Sequence, residues 1–240
     1  MTRSALIVAH GQPSEPDPAE QRLAKLAAAV RDLLSGWTVQ SATLAAPGSL
    51  EAALASLPEN ILVYPMFMAK GWFVTSVLPK RMSQRPAQVL DPFGLDPRLI
   101  DLGEVALRRA ASEQGWDLPD VEVVLAAHGS GRSREPARIA ADYATALSAR
   151  LKCPVHPGFV EEPPSIKSAA TGVGVKSLCL PFFARSGGHA QEDVPQELTA
   201  AQFKGCLLPV LGELPGAPML IARSLEAAGI GEKADGSLVR

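Results

Sequence analysis

The sequence lacks a charge excess of either sign, runs of basic residues and long apolar segments. It has 23 lysines and arginines against 25 aspartates and glutamates, which leaves a formal net charge of −2. This balance provides no basic field for nucleic acid, and the absence of a Lys/Arg run argues against an anionic membrane partner. No apolar stretch near Met1 has the length of a signal peptide or membrane span. We therefore expect a cytoplasmic protein whose partner is a small molecule or another protein.

Cysteine is scarce, and several common catalytic motifs are absent. The three cysteines are odd in number and lack CxxC spacing, which predicts reduced core thiols instead of disulfides or metal ligands. The chain has no P-loop and no G-x-S-x-G nucleophile elbow. Gly172-Val173-Gly174 lacks the third glycine of a dinucleotide loop, so we interpret it as a turn.

The sequence does contain an internal repeat. Four landmarks of the first half recur in the same order in the second, at nearly constant offsets: 128−10 = 118, 165−49 = 116, 181−65 = 116 and 189−72 = 117. Such agreement indicates duplicated domains. The landmarks are Ala9-His10-Gly11 with Ala127-His128-Gly129, Pro47-Gly48-Ser49 with Pro163-Pro164-Ser165, Tyr64-Pro65 with Leu180-Pro181, and Gly71-Trp72 with Gly188-His189.

Each half alternates short apolar runs with segments of helical periodicity, the pattern of βα units around a parallel sheet. We predict an α/β fold of two similar domains, residues 1–117 and 118–240, each a parallel sheet flanked by helices. Predicted strands cover residues 5–9, 38–44, 61–67 and 88–91, then 121–127, 155–160, 177–183 and 205–208. Predicted helices cover residues 18–34, 49–56, 74–83 and 97–113, then 135–150, 165–170, 192–202 and 218–228.

Side chains suited to metal binding follow the predicted strands of the second half. Ligands of open parallel sheets bind just beyond the carboxyl ends of the strands, where His128, Glu161 and His189 all lie. Two imidazoles and a carboxylate suit a borderline divalent ion such as Co²⁺, Ni²⁺, Fe²⁺ or Zn²⁺. His189 ends a glycine-rich loop, Ser186-Gly187-Gly188-His189, that offers no apolar face for a core histidine. In the alternative interpretation, His128 is structural, and Glu161 and Glu162 are solvated loop carboxylates.

The first half has lost most of these side chains. The repeat aligns Glu161, Glu162 and His189 with Ala45, Ala46 and Trp72, so His10 keeps no metal-binding partner. We interpret residues 1–117 as a degenerate copy and expect the chemistry in residues 118–240.

The segments around the second-half residues resemble the class II tetrapyrrole chelatases, most closely the CbiX and SirB type of sirohydrochlorin cobalto- or ferrochelatase. The resemblance implies two flavodoxin-like domains with a tetrapyrrole in the cleft between them. It also implies insertion of Co²⁺, Fe²⁺ or Ni²⁺ in siroheme, cobalamin or porphyrin biosynthesis, without ATP or an organic cofactor. One feature departs from the two-domain CbiX pattern, because the complete histidine pair is here in the C-terminal copy, as in CbiK and protoporphyrin ferrochelatase. The matching segments are His128-Gly129-Ser130, Phe159-Val160-Glu161, Leu180-Pro181-Phe182-Phe183, Gly188-His189 and Asp193-Val194-Pro195.

The resemblance further implies residue roles. His128 and His189 would handle the metal and accept protons, with Glu161 as their carboxylate partner. Metal insertion releases two pyrrole protons, and imidazole, with a pKa of about 6.5, suits their acceptance. The macrocycle is flat and apolar with acidic side arms, so aromatic and arginine side chains are expected to bind it. The substrate-binding candidates are His10, Trp72, Phe73, Ser130, Arg132, Arg134, Phe183 and Arg185.

Two other functions stay open at this point, as does a homodimer. A duplicated enzyme that loses ligands in one copy can become a non-catalytic tetrapyrrole- or metal-binding protein. A hydrolase using His128-Gly129-Ser130 is disfavoured because the nucleophile elbow is absent.

Overall fold

The structure is a computed structural model that describes residues 3–82 and 85–235. The chain forms two compact units, Met1–Asp96 with Pro215–Arg240 (unit 1) and Pro97–Leu214 (unit 2). The strands are β1 Arg3–Ala9, β2 Trp37–Thr43, β3 Ile61–Pro65, β4 Ala87–Val89, β5 Glu122–Ala127, β6 Val155–Phe159, β7 Ser177–Phe182 and β8 Cys206–Leu207. The α-helices are α1 Pro16–Asp32, α2 Ser49–Ser56, α3 Leu78–Arg81, α4 Leu99–Glu113, α5 Glu135–Leu151, α6 Ile166–Ala170, α7 Val194–Ala200 and α8 Ala217–Asp235. Two π-helical turns, Phe73–Val77 and His189–Asp193, lead directly into α3 and α7.

Each unit contains a four-stranded parallel sheet with the same topology. The strand order is β2-β1-β3-β4 in unit 1 and β6-β5-β7-β8 in unit 2. The central strands are buried because helices cover both faces, which explains their continuous apolar sequences. The predicted α/β class and the repeat of one parallel-sheet architecture are thus confirmed.

The two cores are built from corresponding positions of the repeat. In unit 1, Leu6, Val8, Leu50, Val63 and Leu78 pack together, and in unit 2 the corresponding cluster contains Val124, Ala126, Ile166, Cys179 and Val194. Burial raises the pKa of the Cys179 thiol to about 12, as expected for an unreactive core thiol. Cys153 is likewise buried and unpaired.

The last helix of each half of the sequence belongs to the compact unit that the other half forms. Helix α4 packs against α5 and β7 of unit 2, whereas α8 packs against α1 and β3 of unit 1. The Tyr143 hydroxyl of α5 donates a hydrogen bond to the Leu99 carbonyl at the start of α4, at 3.0 Å. The compact units therefore differ from the predicted boundaries of 1–117 and 118–240. Helical periodicity indicates which face of a helix is apolar, but not which sheet that face covers.

Within residues 3–82 and 85–235, no helix combines the length and apolarity that a membrane span requires.

Candidate metal site

The first imidazole of the site is placed by the end of β5. The ladder between β5 and β6 continues past both strands, since the Val160 amide donates to the Ala127 carbonyl and the Glu161 amide to the His128 carbonyl, each at 3.0 Å. This register brings the two side chains together, with Glu161 Oε2 3.8 Å from His128 Nδ1. The sequence separation of 161−128 = 33 residues is thereby closed by strand pairing alone.

The neighbouring carboxylate, Glu162, supports the loop instead. Its Oε1 accepts a hydrogen bond from the Ser130 amide at 2.6 Å. It also crowds Gly129, whose φ is +68° and where an added Cβ would lie 2.8 Å from Glu162 Oε1. Gly129 is therefore required both by its left-handed backbone and by this close approach. Of the two glutamates, Glu161 is the one beside the histidine.

His189 begins a π-helical turn, directly after the glycine-rich loop that the sequence analysis identified. The loop before it is held by Glu213, which accepts hydrogen bonds from the Ser186 amide at 3.1 Å and the Ser186 hydroxyl at 2.7 Å. The turn brings Asp193 back to His189, with 2.6 Å between Asp193 Oδ2 and His189 Nδ1. Single π-helical turns occur frequently at functional sites. Asp193 and Glu213 are functional candidates that sequence reasoning missed, although the i,i+4 spacing of His189 and Asp193 was a visible signal for the first.

The three predicted ligands converge within unit 2. One potential ligand atom from each of His128, Glu161 and His189 lies within 4.8 Å of the others. The two imidazole rings meet edge to face, with centroids 4.6 Å apart and planes at 83°. The three side chains are 45%, 45% and 44% exposed, so an ion can reach them from solution. Among the described groups of His, Cys, Asp and Glu side chains, this is the set with a metal-binding arrangement.

Both imidazoles have the same nitrogen engaged. His128 Nδ1 lies 3.0 Å from the Gly129 carbonyl, and His189 Nδ1 lies 2.6 Å from the Asp193 carboxylate. A carbonyl oxygen and an ionised carboxylate only accept hydrogen bonds, so each Nδ1 carries the proton. Each Nε2 therefore keeps its lone pair for a metal or a proton. A carboxylate behind an imidazole also raises its strength as a ligand.

Two members of the predicted substrate-binding set make contacts within the protein. Phe183 is 8% exposed and packs in the unit 2 core, so its role as a macrocycle contact stays a prediction from the resemblance. An apolar residue after a strand has the same sequence signature whether it faces the core or a ligand. Arg185 lies 3.3 Å from Glu213 and helps to hold the loop, so its guanidinium is engaged within the protein.

The other candidates near His128 are on the surface. The Ser130 hydroxyl accepts hydrogen bonds from the Arg132 and Ser133 amides, each at 3.2 Å, and so closes a turn. Arg132 and Arg134 are exposed, and neither makes an ion pair with any side chain in the described parts of the chain. Their guanidinium groups are available to an acidic ligand.

Unit 1 keeps the same framework with different side chains. Its π-helical turn begins at Phe73, and 189−73 = 116 matches the offset of the neighbouring landmarks, so Phe73 and not Trp72 corresponds to His189. The predicted alignment of Trp72 with His189 is therefore wrong by one residue. His10 contacts Phe73 edge to face, with ring centroids 4.3 Å apart, as His128 contacts His189. Trp72 itself is 66% exposed.

The repeated architecture is shared with known proteins. The CbiX family model matches residues 4–110 and again residues 122–228. A CbiX structure, described as the terminal enzyme for biosynthesis of siroheme in denitrifying bacteria, is 41% identical to the chain. The match covers 94% of this chain and 99% of that one, with a TM-score of 0.87. No curated protein matches the sequence.

Two further structures share the fold at low sequence identity. SirB from Bacillus subtilis with Fe³⁺ is 16% identical, with 98% of each chain covered and a TM-score of 0.77. The sirohydrochlorin chelatase SirB from Bacillus subtilis subspecies spizizenii, in complex with cobalt, is also 16% identical. That match covers 99% of this chain and 98% of the other, with a TM-score of 0.70. With both repeats matched by one family model, the chain belongs to the CbiX family.

Proposed function

We propose that the protein is a chelatase that inserts Co²⁺ or Fe²⁺ into sirohydrochlorin or a closely related tetrapyrrole. The observation that carries this proposal is the convergence of two imidazoles and one carboxylate, with ligand atoms within 4.8 Å, at the carboxyl edge of the unit 2 sheet. The CbiX relative supports the macrocycle, since it acts in siroheme biosynthesis. The SirB structures with iron and cobalt support the choice of metals as proposals for this chain.

The ligand set suits an ion that must be bound and then released. His128, His189 and Glu161 provide two nitrogen donors and one oxygen donor, which borderline divalent ions accept. Three half-exposed ligands leave other coordination positions of the ion open to water or to macrocycle nitrogens. The ion is a substrate, and an incomplete ligand shell favours its transfer.

The same imidazoles suit the proton balance of insertion. Each macrocycle loses two pyrrole protons as the metal enters. Each Nε2 of His128 and His189 regains its lone pair when the ion passes to the macrocycle nitrogens, and it can then accept one of these protons. When His189 accepts a proton, the Asp193 carboxylate 2.6 Å from its Nδ1 stabilises the imidazolium. Exposed Arg132 and Arg134 are suited to pair with the carboxylate arms of the macrocycle.

The structure does not favour the hydrolase hypothesis. The Ser130 hydroxyl bonds to two backbone amides. Within the described residues its contacts include no imidazole that could activate it as a nucleophile.

The test is a screen of the purified protein with sirohydrochlorin and Co²⁺, Fe²⁺ or Ni²⁺, followed by visible absorbance. The proposal predicts formation of the metallated spectrum faster than the non-enzymatic rate, and loss of that acceleration in His189→Ala. Tight binding of sirohydrochlorin without acceleration by any of the metals would replace the proposal with the non-catalytic binding function.

A further inference from the structure

Unit 1 keeps one nitrogen donor at the position where unit 2 has a complete ligand set. His10 follows β1 as His128 follows β5, and its Nδ1 lies 2.8 Å from the Gly11 carbonyl. Because the carbonyl only accepts, His10 Nδ1 carries the proton and Nε2 keeps its lone pair. Nε2 has no hydrogen-bond partner among the residues that the structure describes. The positions corresponding to Glu161 and His189 hold Ala45 and Phe73, which offer no ligand atom.

A lone imidazole cannot bind a free divalent ion as the three-ligand site can. It is sufficient, however, to ligate a metal that a macrocycle already holds. A divalent ion in solution carries a full shell of water, and one neutral nitrogen gives little advantage over that shell. A metal already inserted in a tetrapyrrole has its in-plane positions filled by macrocycle nitrogens. It takes an axial ligand, and histidine is a common one.

The side chains around His10 complement a flat aromatic ligand. Phe73 contacts the His10 ring at 4.3 Å between centroids, Trp72 contacts Phe73 at 5.2 Å, and Phe67 stacks on Phe73 at 6.2 Å. Trp72 is 66% exposed, so its indole face is accessible to a ligand. The aromatic cluster of Phe67, Trp72 and Phe73 thus provides an apolar surface beside a free nitrogen donor.

We propose that unit 1 binds the metallated tetrapyrrole, with His10 Nε2 as an axial ligand of the inserted metal and Trp72 in contact with the macrocycle. Coordination uses the Nε2 lone pair, and the proton stays on Nδ1, so no proton or electron is transferred. The degenerate copy then prefers the product over the metal-free substrate. The identity of the macrocycle rests on the proposed function, but the binding itself requires no turnover.

The experiment uses full-length protein and two prepared probes, cobalt(II)-sirohydrochlorin and metal-free sirohydrochlorin. Affinities come from fluorescence or absorbance titration, and axial ligation comes from nitrogen superhyperfine splitting in the electron paramagnetic resonance spectrum of the cobalt probe. His10→Ala is compared with His128→Ala, its counterpart in unit 2, and with His156→Ala, an imidazole that pairs with Glu122 at 3.1 Å. Thermal unfolding of each variant checks its fold.

We expect His10→Ala to weaken binding of the cobalt probe by about tenfold or more, to leave binding of the metal-free probe unchanged, and to abolish the nitrogen splitting. Trp72→Ala should weaken binding of both probes, by roughly five- to tenfold, because it removes contact area and not a ligand. His128→Ala and His156→Ala should retain the splitting.

Two results would overturn the proposal. These are a wild-type spectrum without nitrogen splitting, or splitting that persists in His10→Ala. In the second case, loss of the splitting in His128→Ala would identify His128 as the axial ligand instead. Failure of metal insertion by wild-type protein would contradict the proposed function alone, since both probes are prepared chemically.

Discussion

At the scale of single residues, the site depends on which nitrogen of each imidazole is free. His189 has its Nδ1 bound to a carboxylate, which is a stronger acceptor than the carbonyl that binds His128 Nδ1. In the proposed function, Asp193 is therefore a positioning residue that acts on the metal and the protons through His189.

We predict that Asp193→Asn lowers the rate of metal insertion about tenfold and that Asp193→Ala lowers it by up to about 100-fold, the range for loss of a partner behind a metal ligand. The asparagine keeps an acceptor for Nδ1 but removes the negative charge. Initial insertion rates and the KM for Co²⁺ provide the measurement, and the exposed neighbour variant Glu192→Gln should match wild type. Equal rates for Asp193→Asn, Asp193→Ala and wild type would show that Asp193 has no role in positioning.

The two adjacent glutamates should separate into a catalytic and a structural role. Glu161→Gln removes a charge 3.8 Å from His128 and should impair insertion with little effect on unfolding. Glu162→Gln weakens the 2.6 Å bond from the Ser130 amide and should lower the free energy of unfolding by about 1–3 kcal/mol. Urea denaturation and insertion kinetics on both variants check this, and a reversed pattern would exchange the roles of Glu161 and Glu162.

At the scale of elements, α4 packs against β7 and also meets α5 at one close helix contact. Burial raises the pKa of the Tyr143 hydroxyl, which donates to the Leu99 carbonyl. An added Cβ at Gly103 would lie 2.0 Å from that hydroxyl oxygen.

We therefore expect Gly103→Ala to destabilise the protein by about 1–3 kcal/mol, although alanine is the better helix former. Tyr143→Phe should cost about 1 kcal/mol through the lost hydrogen bond. The double variant should cost less than the sum, because removal of the hydroxyl relieves the clash. Strictly additive free energies of unfolding in urea would show that α4 and α5 do not meet in this way.

Several strands could be predicted from the sequence, whereas the π-helical turns could not. The strands were visible because a parallel sheet buried on both faces requires continuous apolar runs such as Val123 to Ala127. The π-helical turns were not, since widening one turn leaves no mark in side-chain periodicity. That limitation explains the assignment of Trp72, instead of Phe73, as the counterpart of His189.

At the scale of the whole molecule, the compact units do not coincide with the sequence repeat. The segment 118–240 lacks α4, whose Leu99 and Leu107 are fully buried or nearly so in unit 2. We predict that residues 97–214 expressed alone unfold cooperatively in urea, while residues 118–240 show a weaker or non-cooperative transition. Circular dichroism during denaturation makes the comparison. Cooperative unfolding of 118–240 alone would favour the boundaries of the repeat.

The candidate site was largely predictable because it depends on topology more than on local geometry. His128, Glu161 and His189 each follow a strand, and parallel strands end at one edge of a sheet. The roles of Asp193, Glu162 and Glu213 depended on side-chain directions that the chain order alone does not determine. The burial of Phe183 could not be predicted from the sequence for the same reason.

If unit 2 performs the proposed chemistry, the matched histidines of the repeat should differ in the initial rate of Co²⁺ insertion into sirohydrochlorin, measured for His128→Ala and His10→Ala. Thermal unfolding of both variants controls for folding. We predict a loss of at least about 10²-fold for His128→Ala, as for removal of an acid–base group, and a clearly smaller loss for His10→Ala. Abolished activity in well-folded His10→Ala, with activity retained in His128→Ala, would instead place the chemistry in unit 1.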